Sequence, residues 1–194
     1  MKANAARQRP MVVTFTRTGE RRYSVRATVD GAVPLQMDHT PGFDQFMPHD
    51  LQHFIVEKCL HIRGAVFGRL AAGGLAGTFH PVGSAGSVRE ASRVRRKYAA
   101  KDRKLMPDET SDYDRSERAT YVCWQDWMSH SADASLRARA ASMRATVADM
   151  LARMEPAERA SFNPQKLSEI RREFQRLSER WSSVGVGDSM SEEW

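Results

Sequence analysis

From Met11 to Thr16 the chain is rich in Val, Thr and Phe. From Tyr23 to Val29, Tyr23, Val25, Ala27 and Val29 alternate with Ser24, Arg26 and Thr28. A period of two puts one set of side chains on each face of a strand. Thr18-Gly19-Glu20 supplies the turn between them, so these residues are read as a β-hairpin. A lone hairpin is marginal in water and must pack on other elements. Residues 32–47, with Pro34, Pro41 and Gly42, read as a loop.

After Pro48 the period changes. Leu51, Phe54, Ile55, Cys59 and Ile62 share one side of a helix running from Pro48 to about Ile62. A short helix from Ala65 to Ala72 ends at Gly73-Gly74, which suits a C-cap. Residues 73–86 hold five glycines and read as a loop. Ser87 caps a long helix reaching Leu105, and Ser116 to Met128 forms a helix carrying Tyr121, Trp124, Trp127 and Met128. Such aromatics are more often core than a stacking surface. Further on, Leu136, Ala140, Met143, Val147, Met150 and Met154 recur at a spacing of three to four. Leu167, Ile170, Phe174, Leu177 and Trp181 do the same after Asn163-Pro164.

The expected fold is therefore α+β and predominantly α: an N-terminal β-hairpin packed on a helical domain, with a C-terminal helical hairpin. The expected divisions are a disordered basic arm over 1–10, a main α+β domain over 11–130, the helical hairpin over 131–181 and a disordered Gly/Ser/Glu tail over 182–194.

Composition narrows the class. The chain has 41% apolar and 28% charged residues, and no apolar run long enough to span a bilayer. The first ten residues lack the apolar region of a secretory signal. Two cysteines without a Cys-x-x-Cys pattern are read as buried free thiols in a reducing compartment, so the expected location is cytoplasmic.

Charge falls in blocks. Residues 27–57 hold five acids and no Lys or Arg, whereas residues 87–105 hold eight basic and two acidic residues. Blocks of opposite sign can neutralise each other within one fold, which tempers any inference from the net charge of +6.

Two segments carry candidate chemistry. His49, His53, Glu57 and His61 are spaced four apart, with Asp50 beside them. Two imidazoles at i and i+4 can bind one divalent ion, zinc for example, from one helix face. The candidate metal ligands are His49 and His53, completed by His39 or His80 from a loop. Asp50 and Glu57 are the catalytic candidates if the protein is an enzyme. The plainer reading is a solvated polar face, with Asp50 favoured by the helix dipole.

In the basic helix, Arg89, Arg93, Arg96 and Lys97 are candidates for an anion or for nonspecific nucleic acid. The plainer reading is a surface helix paired with nearby acids. The glycines at 83–86 lack the Walker pattern and read as a connector.

With no complete catalytic constellation in view, the leading expectation is a non-enzymatic binding or accessory protein. It would act through the basic helix or the C-terminal helices, with a protein partner first and self-association second. The alternative is a metal-dependent hydrolase built on the His49-x3-His53 helix.

Overall fold

The structure, a computed structural model, describes residues 10–41, 44–83, 88–105 and 111–194. Its strands are β1 (Met11–Gly19), β2 (Arg22–Val29), β3 (Leu35–Pro41), β4 (His80–Pro81) and β5 (Ser189–Glu193). Its helices are α1 (His49–Cys59), α2 (Val66–Ala71), α3 (Val88–Lys104), α4 (Ser111–Ser129), α5 (Ala134–Arg153), α6 (Pro156–Ala160) and α7 (Pro164–Ser182). The fold is α+β and mostly helical, as the hydrophobic pattern implied.

The hairpin forms as the alternation requires. β1 and β2 pair antiparallel with Phe15 opposite Val25 and Val13 opposite Ala27. Met11, Val13 and Phe15 are buried together with Tyr23, Val25 and Ala27, while Val12 on the other face is exposed. This hairpin is the middle of a five-stranded antiparallel sheet of order β4-β3-β2-β1-β5.

Two segments depart from expectation here. Within the stretch read as a loop, residues 32–47, β3 adds Leu35 and Met37 to the buried face. Residues 182–194, expected as a disordered tail, end in β5 instead. Met190 pairs with Phe15 and is buried, Ser189 and Ser191 hydrogen-bond the Thr16 and Thr14 hydroxyls at 2.8 Å, and Glu192 is clasped by Arg176 and Arg180. A Gly/Ser/Glu composition concealed an edge strand whose serines face outward and whose Met190 faces in, with Glu192 on the same side as Met190 and covered by its arginine partners.

The sheet's apolar face covers a helical layer centred on α1. Residues Leu51 to Glu57 of α1 are all buried, because α2, α4 and α7 close round it. Phe15, Phe54, Phe67 and Trp194 meet edge to face or tilted, with ring centroids 5.3–6.4 Å apart. Gly68 belongs to this closure, since a Cβ there would overlap the Arg63 carbonyl.

The C-terminal helices pack on the rest of the fold. α5 packs on α4, and α7 packs on both α4 and α1. Leu136, Ala140, Ile170, Phe174, Leu177 and Trp181 join the same core as Val13 and Phe54. Of the expected basic arm, residues 1–9 lie outside the described residues. Cys59 and Cys123 are both free and buried. No helix among the described residues is long and apolar enough to cross a membrane.

Candidate metal centre

Pro48 opens α1, and Asp50 lies in its first turn. With residues four apart nearly in line, His49, His53 and Glu57 run along the side of α1 that meets α4. The stripe is buried toward its C-terminal end: His49 is exposed, His53 is 4% exposed and Glu57 is fully buried. A solvated polar face, the plainer reading, does not describe it.

Buried polar groups need partners, and α4 supplies them. On its packed face Ser116 and Thr120 are buried. The Ser116 hydroxyl donates to Glu57 Oε1 at 2.8 Å. The same oxygen lies 2.8 Å from His53 Nδ1, and Thr120 Oγ1 lies 3.3 Å from that nitrogen. A serine hydroxyl has a single hydrogen. With it directed at Glu57, Ser116 accepts from His53 Nδ1–H. This assigns the proton of a neutral His53 to Nδ1 and leaves the Nε2 lone pair pointing the other way.

Glu57 is held further by the backbone N–H groups of Val66, at 3.2 Å, and Phe67, at 2.8 Å, in the first turn of α2. Burial pushes its carboxyl up to about 7, against the pull of His53 and these donors.

His53 Nε2 faces Glu117, one residue beyond Ser116 on α4, with Glu117 Oε2 3.5 Å away. The contact lacks hydrogen-bond geometry, so Nε2 is buried without a hydrogen-bond partner. The His49 and His53 rings meet edge to face with centroids 4.6 Å apart. His49, His53 and Glu117 each offer a ligand atom, and these atoms lie within 4.8 Å of one another.

The titration behaviour follows from this crowding. Burial, then the His53 charge, lowers His49 below its ordinary value. For His53 burial also acts downward. The Glu117 carboxylate, followed by Glu57 and Asp50, outweighs it and holds the imidazole above its ordinary value. His53 in turn holds Glu117 below the usual carboxylate range.

His49 and Glu117 line a cleft of about 1040 Å³ bounded by the sheet, α1, α4 and α5, with the His53 ring buried behind them. Tyr23, Asp50, Gln52, Tyr121, Trp124 and Arg139 line it. Tyr23 donates to Asp50, and Arg139 is paired with Asp44.

The residues singled out in the sequence are thus distributed unevenly. His49 and His53 come together. His80 on β4 instead pairs with Asp38 at 3.2 Å, and the His39 side chain lies outside the described residues. Of the two catalytic candidates, Asp50 lines the cleft, whereas Glu57 is sealed behind His53. Arg89, Arg93, Arg96 and Lys97 all stand exposed on α3. Residues 84–87 of the glycine connector lie outside the described residues.

Glu117, Ser116 and Thr120 were not anticipated. The available signal was a stripe of small polar residues, Ser116 and Thr120 with Cys123, on the packing side of a helix otherwise anchored by tryptophans. Small polar groups on a buried face imply a polar partner.

No family model, curated protein or solved structure matches this chain.

Proposed function

We propose that His49, His53 and Glu117 bind one divalent transition-metal ion, zinc foremost, and that the adjoining cleft admits a substrate for metal-dependent hydrolysis. The observation that carries this reading is His53 Nε2. It is a buried nitrogen, on a ring oriented by a hydrogen bond at the opposite nitrogen, that faces a carboxylate and a second imidazole. A buried polar atom left unpaired costs about 1–3 kcal/mol. A proton or a cation between Nε2 and Glu117 relieves it.

The donor set suits zinc, which takes imidazole nitrogen and carboxylate oxygen. Ser116 and Glu57 supply the outer hydrogen bond that metal-ligating histidines generally make. Three protein ligands leave a position open, as catalytic zinc sites do and structural ones do not. Bound there, the ion would polarise a substrate carbonyl or phosphoryl oxygen. In this reading Glu57 is a positioning residue, because it is sealed from the cleft, and Asp50 is the acid–base candidate that lines it.

Metal analysis of purified, untagged protein tests the proposal. One zinc or similar ion per chain is expected, lost in His53→Ala and Glu117→Ala. Occupancy should fall as pH drops, beginning above the ordinary imidazole range, because the carboxylates raise the affinity of His53 for the competing proton. Protein that stays metal-free after incubation with zinc would leave His53 and Glu117 as a simple proton-bridged pair.

A further inference from the structure

We infer that the outward face of α3 binds the phosphate backbone of nucleic acid, without regard to sequence. This goes beyond the metal reading and does not depend on it.

Lys101 and Arg95 apart, the helix is sorted by charge. At ~100° per residue, Glu90, Val94, Tyr98, Asp102 and Leu105 fall within about 120° of one another. That sector faces the body of the protein. Tyr98 donates to the Val33 carbonyl, Asp102 pairs with Arg69 at 2.6 Å and accepts from the Leu75 N–H, and Glu90 and Val94 border a groove against Val33 and Pro34. Both acids of the helix lie on this inner sector.

Arg89, Arg93, Arg96, Arg103 and Lys104 fall within about 100° on the opposite side, with Lys97 at the margin. All six are exposed. Among the described residues none of the eight Lys and Arg side chains of α3 makes an ion pair.

Of the acids expected to neutralise this helix, those at 38–50 among the described residues are engaged elsewhere, as is Glu117, while Asp108 and Glu109 lie outside the described residues. Asp38 pairs with His80, Asp44 with Arg139, Asp50 with Tyr23 and Glu117 with His53. A surface helix stabilised by its own salt bridges would interleave Glu with Lys or Arg at i and i+4. Here the outward face carries no acid at all.

The remaining question is which polyanion fits. The cations extend over about 22 Å along the axis, four guanidinium and two ammonium groups over several turns. Arginine forks suit phosphate oxygens. Between them stand Ser92 and Ala100, small enough to let a backbone approach. A membrane surface would call for apolar side chains to insert beside the cations. Among the described residues the exposed large apolar ones are Val12, Val33 and Val186, none of them on α3. A protein interface would need an apolar centre, which this face also lacks. α3 carries no Asn or Gln to read adenine, and its cations are assigned to backbone phosphates, the contacts that carry no sequence information.

The test is fluorescence anisotropy of the full chain with a labelled duplex of random sequence and with a single strand, over a salt series. Affinity for the duplex should fall steeply with salt, with a log–log slope of about −0.9 for each phosphate neutralised. The variant Arg93→Gln/Arg96→Gln/Arg103→Gln should make that slope shallower by about 2.7 while leaving the circular dichroism spectrum unchanged. Changing the duplex sequence should leave affinity unaltered. No binding at about 50 mM salt, a slope indifferent to the triple variant, or equal affinity for anionic vesicles would each overturn the proposal.

Discussion

α1 and α3 both bear a row of ionisable side chains, and they meet opposite fates. On α1 the row holds His49, His53 and Glu57, and it turns inward against α4 until Glu57 is fully buried. On α3 the row holds arginines and lysines and stays in water, with Asp102 turned inward to Arg69. The difference lies in what each row can find inside. Histidine and glutamate are short enough to be met by Ser116, Thr120 and the α2 N–H groups, each with defined geometry. Eight cations could be buried only with as many anions, at several kcal/mol of desolvation apiece. The interior of this fold offers α3 a carbonyl and one arginine partner for Asp102. A buried polar row with a geometric purpose and an exposed one with a Coulombic purpose are thus physically distinct, though both read as polar helix faces.

The largest effect that sharpens this contrast is on stability. Phe54 lies on the apolar side of α1, 1% exposed, against Phe15, Phe67 and Trp194. Phe54→Ala should cost about 3–5 kcal/mol in urea unfolding, because the surrounding rings cannot all collapse into the space. A cost under about 1 kcal/mol would mean that α1 is not the centre of the core.

The next effect concerns the polar side of the same helix. Ser116→Ala removes the hydroxyl joining Glu57 to His53 while leaving Thr120 near Nδ1. If Ser116 fixes the His53 ring, zinc affinity should drop about 10–100-fold, the usual consequence of losing an outer hydrogen bond. The ¹⁵N shifts of His53 should show a mixture of tautomers in place of the Nδ1–H form. A merely structural serine would leave both readouts where they were.

These contrasts also explain what was legible in the sequence. The hairpin, α1 and the stripe Leu167 to Trp181 were readable because apolar periodicity directly records which side is buried. β5 was not. Its five residues contribute one large apolar side chain, and its place beside β1 is fixed by backbone pairing 170 or more residues away in sequence. The centre was half legible for the same reason. His49 and His53 sit on one helix, so their spacing announces them. Glu117 reaches them only through the packing of α4 on α1, which no local period encodes. His80 seemed equally suited as a ligand, but the pairing of β4 with β3 delivers it to Asp38.

The smallest expected effect is the sharpest test of the other half of the contrast. Arg96 sits at the middle of the outward face of α3, exposed and without an ion pair among the described residues. Its removal leaves no cavity, strands no buried partner and replaces it with a better helix former. Arg96→Ala should therefore change unfolding free energy by no more than about 0.5 kcal/mol, the range of ordinary surface substitutions. It should even stabilise slightly at low salt, by relieving repulsion from Arg89, Arg93, Lys97 and Arg103. Adding salt should erase that gain, since charges exposed to water are screened beyond about 10 Å at 0.1 M. A loss above about 1 kcal/mol would mean that Arg96 holds the fold together. The row on α3 would then be a structural feature like the one on α1, and its charge would no longer be free for a partner.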